Sequence, residues 1–300
     1  MSTNSTKLAR IFKVVHPKKM GEGHGAVVGR LIGTSEVRRF DPFLMLDHFS
    51  GRLPGGFPDH PHRGFETVSY LLQGTFLHED SKGRKGELKP GDVQWMTAGK
   101  GIIHAEMPGS ETEDSIGLQL WINLPRDKKL IDPFYQEIAA KEIPVVNNKA
   151  GVTAKVISGL EFGVEGAVKP TWPVHYVDFQ LSPNTSFDKV IPANWNSFIY
   201  VLSGEAEVNG TKIKTSDAVF FEKDASPTLA RFTTGSSAVQ FVWIGGQPIG
   251  EPIAQYGPFV MNTEEEIQQA FSDYQNARNG FEESKTWRSG IRKLSHDFDD

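Results

Sequence analysis

Cysteine is absent from the 300 residues. Disulfides, thiolate metal sites and cysteine nucleophiles go with it, so any bound metal must be held by nitrogen and oxygen. Long apolar runs are missing too. No stretch reaches the ~18 apolar residues of a membrane span, and the N-terminus, MSTNSTKLAR, has no apolar core of signal-peptide length. The expectation is an intracellular chain that does not cross a membrane. Charge of one sign is also scarce: 32 Lys and Arg against 37 Asp and Glu leave a formal net charge of -5, which makes no electrostatic demand for nucleic acid. Glycine and proline, in contrast, are plentiful at 30 and 18 residues. They separate short runs rich in Val, Ile, Phe and Thr, a pattern that predicts an all-β sandwich or barrel of many short strands.

One helix is expected, near the C-terminus. Thr263 and Glu266 have capping-box spacing, Ile267, Ala270, Phe271 and Tyr274 fall on one face, and Gly280 would stop it. At ~100–200 residues per domain the length suggests two domains, and the halves echo each other. SYLLQG at Ser69–Gly74 and IYVLSG at Ile199–Gly204 each read as a strand entering a glycine turn. Each is followed by a hairpin with an aspartate, Asp92 or Asp217, ahead of apolar residues. Duplication of one β-domain explains the echo. The Pro-containing, charged stretch from Asp132 to Asn148 places the boundary near Ala140, giving domains 1–140 and 141–300.

Chemistry concentrates in two segments. In FPDHPHRGFETVSYLLQG, His60 and His62 are two residues apart, so on an extended backbone both imidazoles project from one face. Pro61 fixes its own φ and steers His60 away from helical geometry, keeping the pair extended. In MTAGKGIIHAEMP, His104 and Glu106 repeat the spacing after the Gly99-Lys100-Gly101 turn. Three imidazoles and one carboxylate suit a divalent first-row metal, and a six-coordinate ion would keep two positions open. A closed structural zinc would use the same residues and leave no position for chemistry. Glu66, four residues beyond His62 and of the same parity, is the competing carboxylate. His16, His24, His48, His78, His175 and His296 lack paired spacing and receive no role.

These segments, together with DPFLMLDHF (Asp41–Phe49), GLQLWINLP (Gly117–Pro125) and GPFVMNTEEEI (Gly257–Ile267), closely resemble the pirin family of the cupin superfamily, from about Ala26 to Arg288. The resemblance implies a bicupin, two antiparallel β-barrels facing each other, with Fe2+ in the N-terminal one bound by His60, His62, His104 and Glu106. Most cupins take the carboxylate from the position of Glu66, so the pirin likeness is what selects Glu106 and leaves Glu66 beside the ligands. Counting from Gly74 and Gly204, and from Asp92 and Asp217, sets the four ligands opposite Val190, Pro192, Leu229 and Arg231. None of these binds metal, so the second barrel is expected to be metal-free.

Two functions follow from the resemblance. One is quercetin 2,3-dioxygenase activity on a flavonol, with Glu106 or Glu66 as base and with Phe57, Trp95 and Met107 near the motifs but expected to be packing residues. The other is a redox-sensing, iron-dependent transcription co-regulator or G-protein partner without turnover, found in nucleus and cytoplasm. A monomer without direct nucleic-acid contact is expected in either case. Lys7, Arg10, Lys13, Lys18, Lys19, Arg30, Arg38 and Arg39 outnumber Glu22 and Glu36 in the first forty residues, but are too dispersed for a nucleic-acid motif and read as a solvated surface.

Overall fold

The computed structural model describes residues 7–148 and 150–295, so His296 lies outside the described residues. The chain forms two compact units. One gathers Lys18–Arg39, Phe43–Ala140 and Ile249–Asp300; the other gathers Met1–Pro17, Phe40–Pro42 and Lys141–Pro248. Contiguous blocks of 1–140 and 141–300 do not describe these units, because each end of the chain is built into the other block's unit. Strand Ile11–Val15 pairs antiparallel with Ala218–Phe221, while Ile267, Ala270 and Phe281 share an apolar cluster with Ile103. Local composition carries no mark of such an exchange, since a terminal strand reads alike whichever sheet it joins.

The unit that contains the histidine motifs has two large sheets and a two-stranded pair, Ala254–Tyr256 with Phe259–Met261. Seven strands run in the order Phe134–Ile138, Val93–Thr97, Phe65–Gln73, Ser115–Asn123, Phe43–Gly51, Ala26–Ile32 and Lys18–Glu22. Four more run Phe57–His62, Ile102–Pro108, Phe76–Asp80 and Lys85–Leu88. Val28, Phe49 and Leu71 of the first sheet form one buried cluster with Phe76 and Leu88 of the second, each stabilising by about 1.5–3 kcal/mol.

The one α-helix among the described residues, α1 (Glu264–Gln275), starts where its cap predicts: the Glu266 amide donates to Thr263 Oγ1 at 3.2 Å and the Thr263 amide to Glu266 Oε2 at 3.1 Å. It ends at Asn276 rather than Gly280. Gly280 serves a different need, since its φ is +104° and a Cβ there would meet the Lys100 carbonyl at 2.6 Å.

Arg63, immediately after His62, ties this helix to the sheet. Its guanidinium donates to Lys100 O at 2.6 Å, Asp273 Oδ2 at 2.9 Å and Asn279 O at 2.5 Å, and lies 4.7 Å from the Phe281 ring centre. Burial pushes the Asp273 carboxyl up, but hydrogen bonds from Arg63, Asn279 and Gln269 outweigh it and hold the group below its usual range. Both ends of this ion pair are buried. Removing one partner of such a pair costs about 3–5 kcal/mol.

In the other unit the central order is Ile11–Val15, Ala218–Phe221, Asn196–Val208, Val239–Gly246, Val174–Leu181, Val152–Ser158 and Val145–Asn147. Strands Ser186–Ile191 and Thr228–Thr233 pair beside it. Phe179, Phe187, Phe232, Phe241 and Trp243 form its core.

The internal echo is visible in backbone hydrogen bonds. The Lys89 amide donates to Asp92 Oδ2 at 2.8 Å and the Gly91 amide to Leu71 O at 2.8 Å. In the second barrel the Lys214 amide donates to Asp217 Oδ2 at 2.9 Å and the Ser216 amide to Val201 O at 2.8 Å. Both barrels therefore build one turn in the same way. No helix among the described residues is long and apolar enough to cross a membrane.

Candidate metal centre and its cavity

Strand Phe57–His62 lies antiparallel to Ile102–Pro108, with His60 opposite His104 and His62 opposite Ile102. Two-residue alternation then turns all three imidazoles to one side. Their candidate ligand atoms lie within 4.8 Å of one another. Ring centres are separated by 4.7 Å for His60–His62, 4.4 Å for His60–His104 and 4.9 Å for His62–His104. Gly64 lets the chain leave this strand under close cover: its φ is +87°, and a Cβ would strike the Val260 carbonyl at 1.9 Å.

Burial and the neighbouring His60 hold His62 well below imidazole's usual pKa, against a small opposing effect of the Pro258 carbonyl. Burial, His60, His62 and His78 do the same to His104. Both rings are therefore neutral, the form that offers a lone pair. The Nδ1 of His60 is 2.8 Å from Pro58 O; a proton shared there leaves Nε2 as the ligand atom, as backbone carbonyls behind metal-binding histidines do. Among the described residues neither ring nitrogen of His104, nor Nδ1 of His62, has a hydrogen-bond partner. An unsatisfied buried polar atom costs about 1–3 kcal/mol, and a cation at the triad is what would offset it. The residues present thus fit a metal.

Glu106 stands beside the triad, with Oε2 4.0 Å from His104 Nε2. Its orientation is set from a neighbouring sheet. Ser69 Oγ donates to Oε1 at 2.9 Å, and Gln119 Nε2 donates to Oε2 at 3.0 Å and Oε1 at 3.3 Å. Glu66 is fully buried on Phe65–Gln73, where Trp95 Nε1 and Thr97 Oγ1 donate to its two oxygens at 3.0 and 2.7 Å. It is outside the imidazole cluster.

A cavity of about 810 Å3 opens from His60, His62 and Glu106, within the ~300–1,000 Å3 of small-molecule sites. Leu44, Met45, Phe49, Phe57 and Trp121 supply apolar wall, and the Trp121 ring packs 5.3 Å from His62. Phe57, expected only to pack, does so and also lines the cavity. Trp95 and Met107 are fully buried and are not among the lining residues. His24, given no role, lines the cavity while its backbone pairs with Gly56.

Sequence reasoning missed Ser69, Gln119, Trp121 and the arginines of the lining. A signal existed: Asp47, Gln119, Ser69 and Gln94 stand in register across four adjacent strands, a polar row through otherwise apolar segments. Only strand pairing reveals the row. Of the basic residues of the first forty, Lys7, Arg10 and Arg30 sit in separate ion pairs, with Asp224, Glu222 and Asp47.

The chain matches the Pirin family over residues 25–122 and the Pirin C-terminal cupin domain over residues 176–280. It is 49% identical over 280 residues to Pirin of Homo sapiens, covering 91% of this chain and 95% of that protein. A Pirin-like protein of Solanum lycopersicum is 46% identical over 290 residues, with 96% and 99% covered. Among solved structures, a quercetin 2,3-dioxygenase from Acinetobacter baumannii superposes with a TM-score of 0.81 at 31% identity, over 90% of this chain and 98% of that one. With both barrels matched and the histidine cluster in the first of them, this chain belongs to the pirin family of two-cupin proteins.

Proposed function

We propose that this protein is an Fe2+-binding dioxygenase of the quercetin 2,3-dioxygenase type, with His60, His62, His104 and Glu106 as ligands and a flavonol as substrate. The observation that carries the reading is the set of buried imidazole nitrogens that have no hydrogen-bond partner among the described residues, placed where a cavity of small-molecule size begins. Likeness to a solved quercetin 2,3-dioxygenase supports the reaction type. A bound divalent ion supplies Lewis acidity toward a flavonol's adjacent hydroxyl and keto oxygens, and a redox-active ion supplies a route to dioxygen.

The chain supplies the rest. Phe49, Phe57 and Trp121 present apolar and aromatic surface to a planar ligand and exclude water. Glu106 lines the cavity and is the proton acceptor we favour for the substrate hydroxyl. Glu66 is less suited, because both its oxygens already accept from Trp95 and Thr97. Ser69 and Gln119 hold Glu106 in place without neutralising it.

The test is oxygen uptake by anaerobically Fe2+-loaded protein on addition of quercetin, with His60→Ala as control. Metal-dependent uptake with release of carbon monoxide is expected from the wild type alone. Stoichiometric iron without uptake would favour the second reading, a redox-sensing partner of transcription or signalling proteins in nucleus and cytoplasm. One observation supports that alternative: Asp59, next to His60, accepts from the Ser289 hydroxyl at 2.5 Å and from its amide. A change of charge at the triad would act one residue away from the anchor of the C-terminal segment.

A further inference from the structure

The cavity wall is unevenly neutralised. Arg30 donates to Asp47 through Nε at 2.8 Å and Nη2 at 2.7 Å, and to Glu22 through Nη2 at 2.7 Å. All three groups are hydrogen-bonded, and together they carry one net negative charge. Asp59 is engaged by Ser289 and Glu106 by Ser69 and Gln119, so every carboxylate of the lining has its donors.

Arg38 and Arg39 line the same cavity and differ. Among the described residues neither forms an ion pair with a carboxylate. Arg39 donates once, from Nη1 to Ile253 O at 3.3 Å, which orients the guanidinium and leaves most of its five donors unused. Arg39 is half-buried and Arg38 exposed, whereas His62 in the same lining is 2% exposed. Burial and the charge of Arg38 both act against the Arg39 cation. Lone surface arginines without partners are common and mean little. Two adjacent ones lining a ligand-sized cavity, with no carboxylate partner among the described residues, offer planar donor sets suited to a tetrahedral or planar oxyanion.

We infer that Arg38 and Arg39 are specificity-determining residues: they form an oxyanion clamp, and the cavity takes an aromatic ligand that carries a sulfate or carboxylate at the end away from the histidines. This rests on the flavonol reading above. It goes beyond that reading in stating that the preferred ligand is an anionic conjugate rather than the neutral flavonol.

The experiment is a set of anaerobic tryptophan-fluorescence titrations of Fe2+-loaded protein. The probes are quercetin, quercetin 7-sulfate, quercetin 4′-sulfate and quercetin 7-glucuronide. All leave the 3-hydroxyl and 4-keto oxygens free, and the two sulfates place the anion at opposite ends of the molecule. At least one conjugate is expected to bind about tenfold more tightly than quercetin at low salt. The 7-sulfate and not the 7-glucuronide would identify a tetrahedral anion, and the reverse a carboxylate; the 4′-sulfate alone would place the anion at the other end of the flavonol.

In Arg38→Gln/Arg39→Gln the ratio of conjugate to quercetin affinity should collapse to about one. It should also shrink at high salt, because exposed charges are screened. Quercetin binding at least as tightly as every conjugate, or a ratio that survives the double substitution, overturns the clamp and leaves the flavonol reading standing. Failure of all four probes to bind metal-loaded protein overturns both.

Discussion

Strands Phe57–His62 and Ile102–Pro108 have a counterpart in the second barrel, Ser186–Ile191 paired with Thr228–Thr233, and the two pairs solve the barrel interior in opposite ways. In the first, His60 faces His104 across the ladder. In the second, Lys189 faces Ala230, and the buried set is Phe187, Lys189, Ile191, Thr228, Ala230 and Phe232. Lys189 forms a buried ion pair with Glu161, and its Nζ lies 5.7 Å from the Trp243 ring centre. Burial, and then the Lys189 charge, push nearby His175 down to about 4. One barrel thus presents imidazole lone pairs that need a cation, and the other holds a built-in cation with its counterion. A shared scaffold fixes where inward side chains stand and leaves their chemistry free.

The comparison breaks most easily at the metal. His104→Ala should abolish stoichiometric iron while leaving a β-rich fold, and Glu106→Gln should weaken iron more than Glu66→Gln. Lys189→Met/Glu161→Leu, which removes both members of the second barrel's pair, should leave metal content unchanged. Loss of iron in that double variant, measured by metal analysis after gel filtration, would show that the two interiors are not independent.

Next in size is stability. Glu161→Gln alone strands a buried ammonium and should destabilise by about 3–5 kcal/mol, read as a lowered denaturation midpoint. The Met/Leu double variant should recover most of that loss, because replacing a buried pair by apolar groups is often neutral. A mild single variant would mean that Lys189 finds another partner.

How far these features could be read in advance depends on how local they are. The His60–His62 and His104–Glu106 spacings and the Thr263–Glu266 cap each lie within four residues, and the strand periodicity is local too. Counting from the anchors lands one position away from the second barrel's interior, inside the shift of a residue or two that such counting allows. Val190, chosen by counting from the glycine and aspartate anchors, is 51% exposed, and Arg231 pairs with Asp188 on the outer face. The stretch from Lys189 to Gly204 is one residue longer than that from His60 to Gly74, as is Asp217–Ala230 against Asp92–His104. Because strand side chains alternate, a slip of one residue exchanges inside for outside. Ser69 and Gln119 were hidden for another reason: they meet Glu106 only through strand pairing across distant segments. The exchanged termini were invisible for the same reason.

A smaller effect contrasts Lys189 with the first barrel's own buried lysine. Lys129 is 1% exposed and donates to Asn123 Oδ1 at 2.6 Å, Gly64 O at 2.9 Å and Val260 O at 3.2 Å. None of these acceptors is charged. Burial is the main cause that lowers its pKa to about 7, against weak opposing effects of Glu251 and Glu266. The unfolded chain keeps this amine protonated up to about pH 10.4. Between those values the unfolded state binds more protons, so stability rises with pH, by about 2 kcal/mol from pH 7 to 9. Lys129→Met should remove the slope. A slope that persists in Lys129→Met, in chemical denaturation at both pH values, would assign it to other groups.

The smallest effect sharpens the comparison at Glu106 itself. Its carboxylate is aimed by Ser69 and Gln119 from a neighbouring sheet, whereas Glu161 is aimed by the charge of Lys189. Ser69→Ala removes one neutral donor and keeps the two contacts from Gln119, so metal affinity should fall toward the low end of the roughly 10–100-fold range for such supporting residues. Competition against a chelator of known affinity measures it. A fall as large as that of Glu106→Gln would mean that the hydroxyl, and not the strand, sets the carboxylate's position. No change at all would mean that Gln119 alone suffices, and the polar row across the sheet would then be needed for folding rather than for the metal.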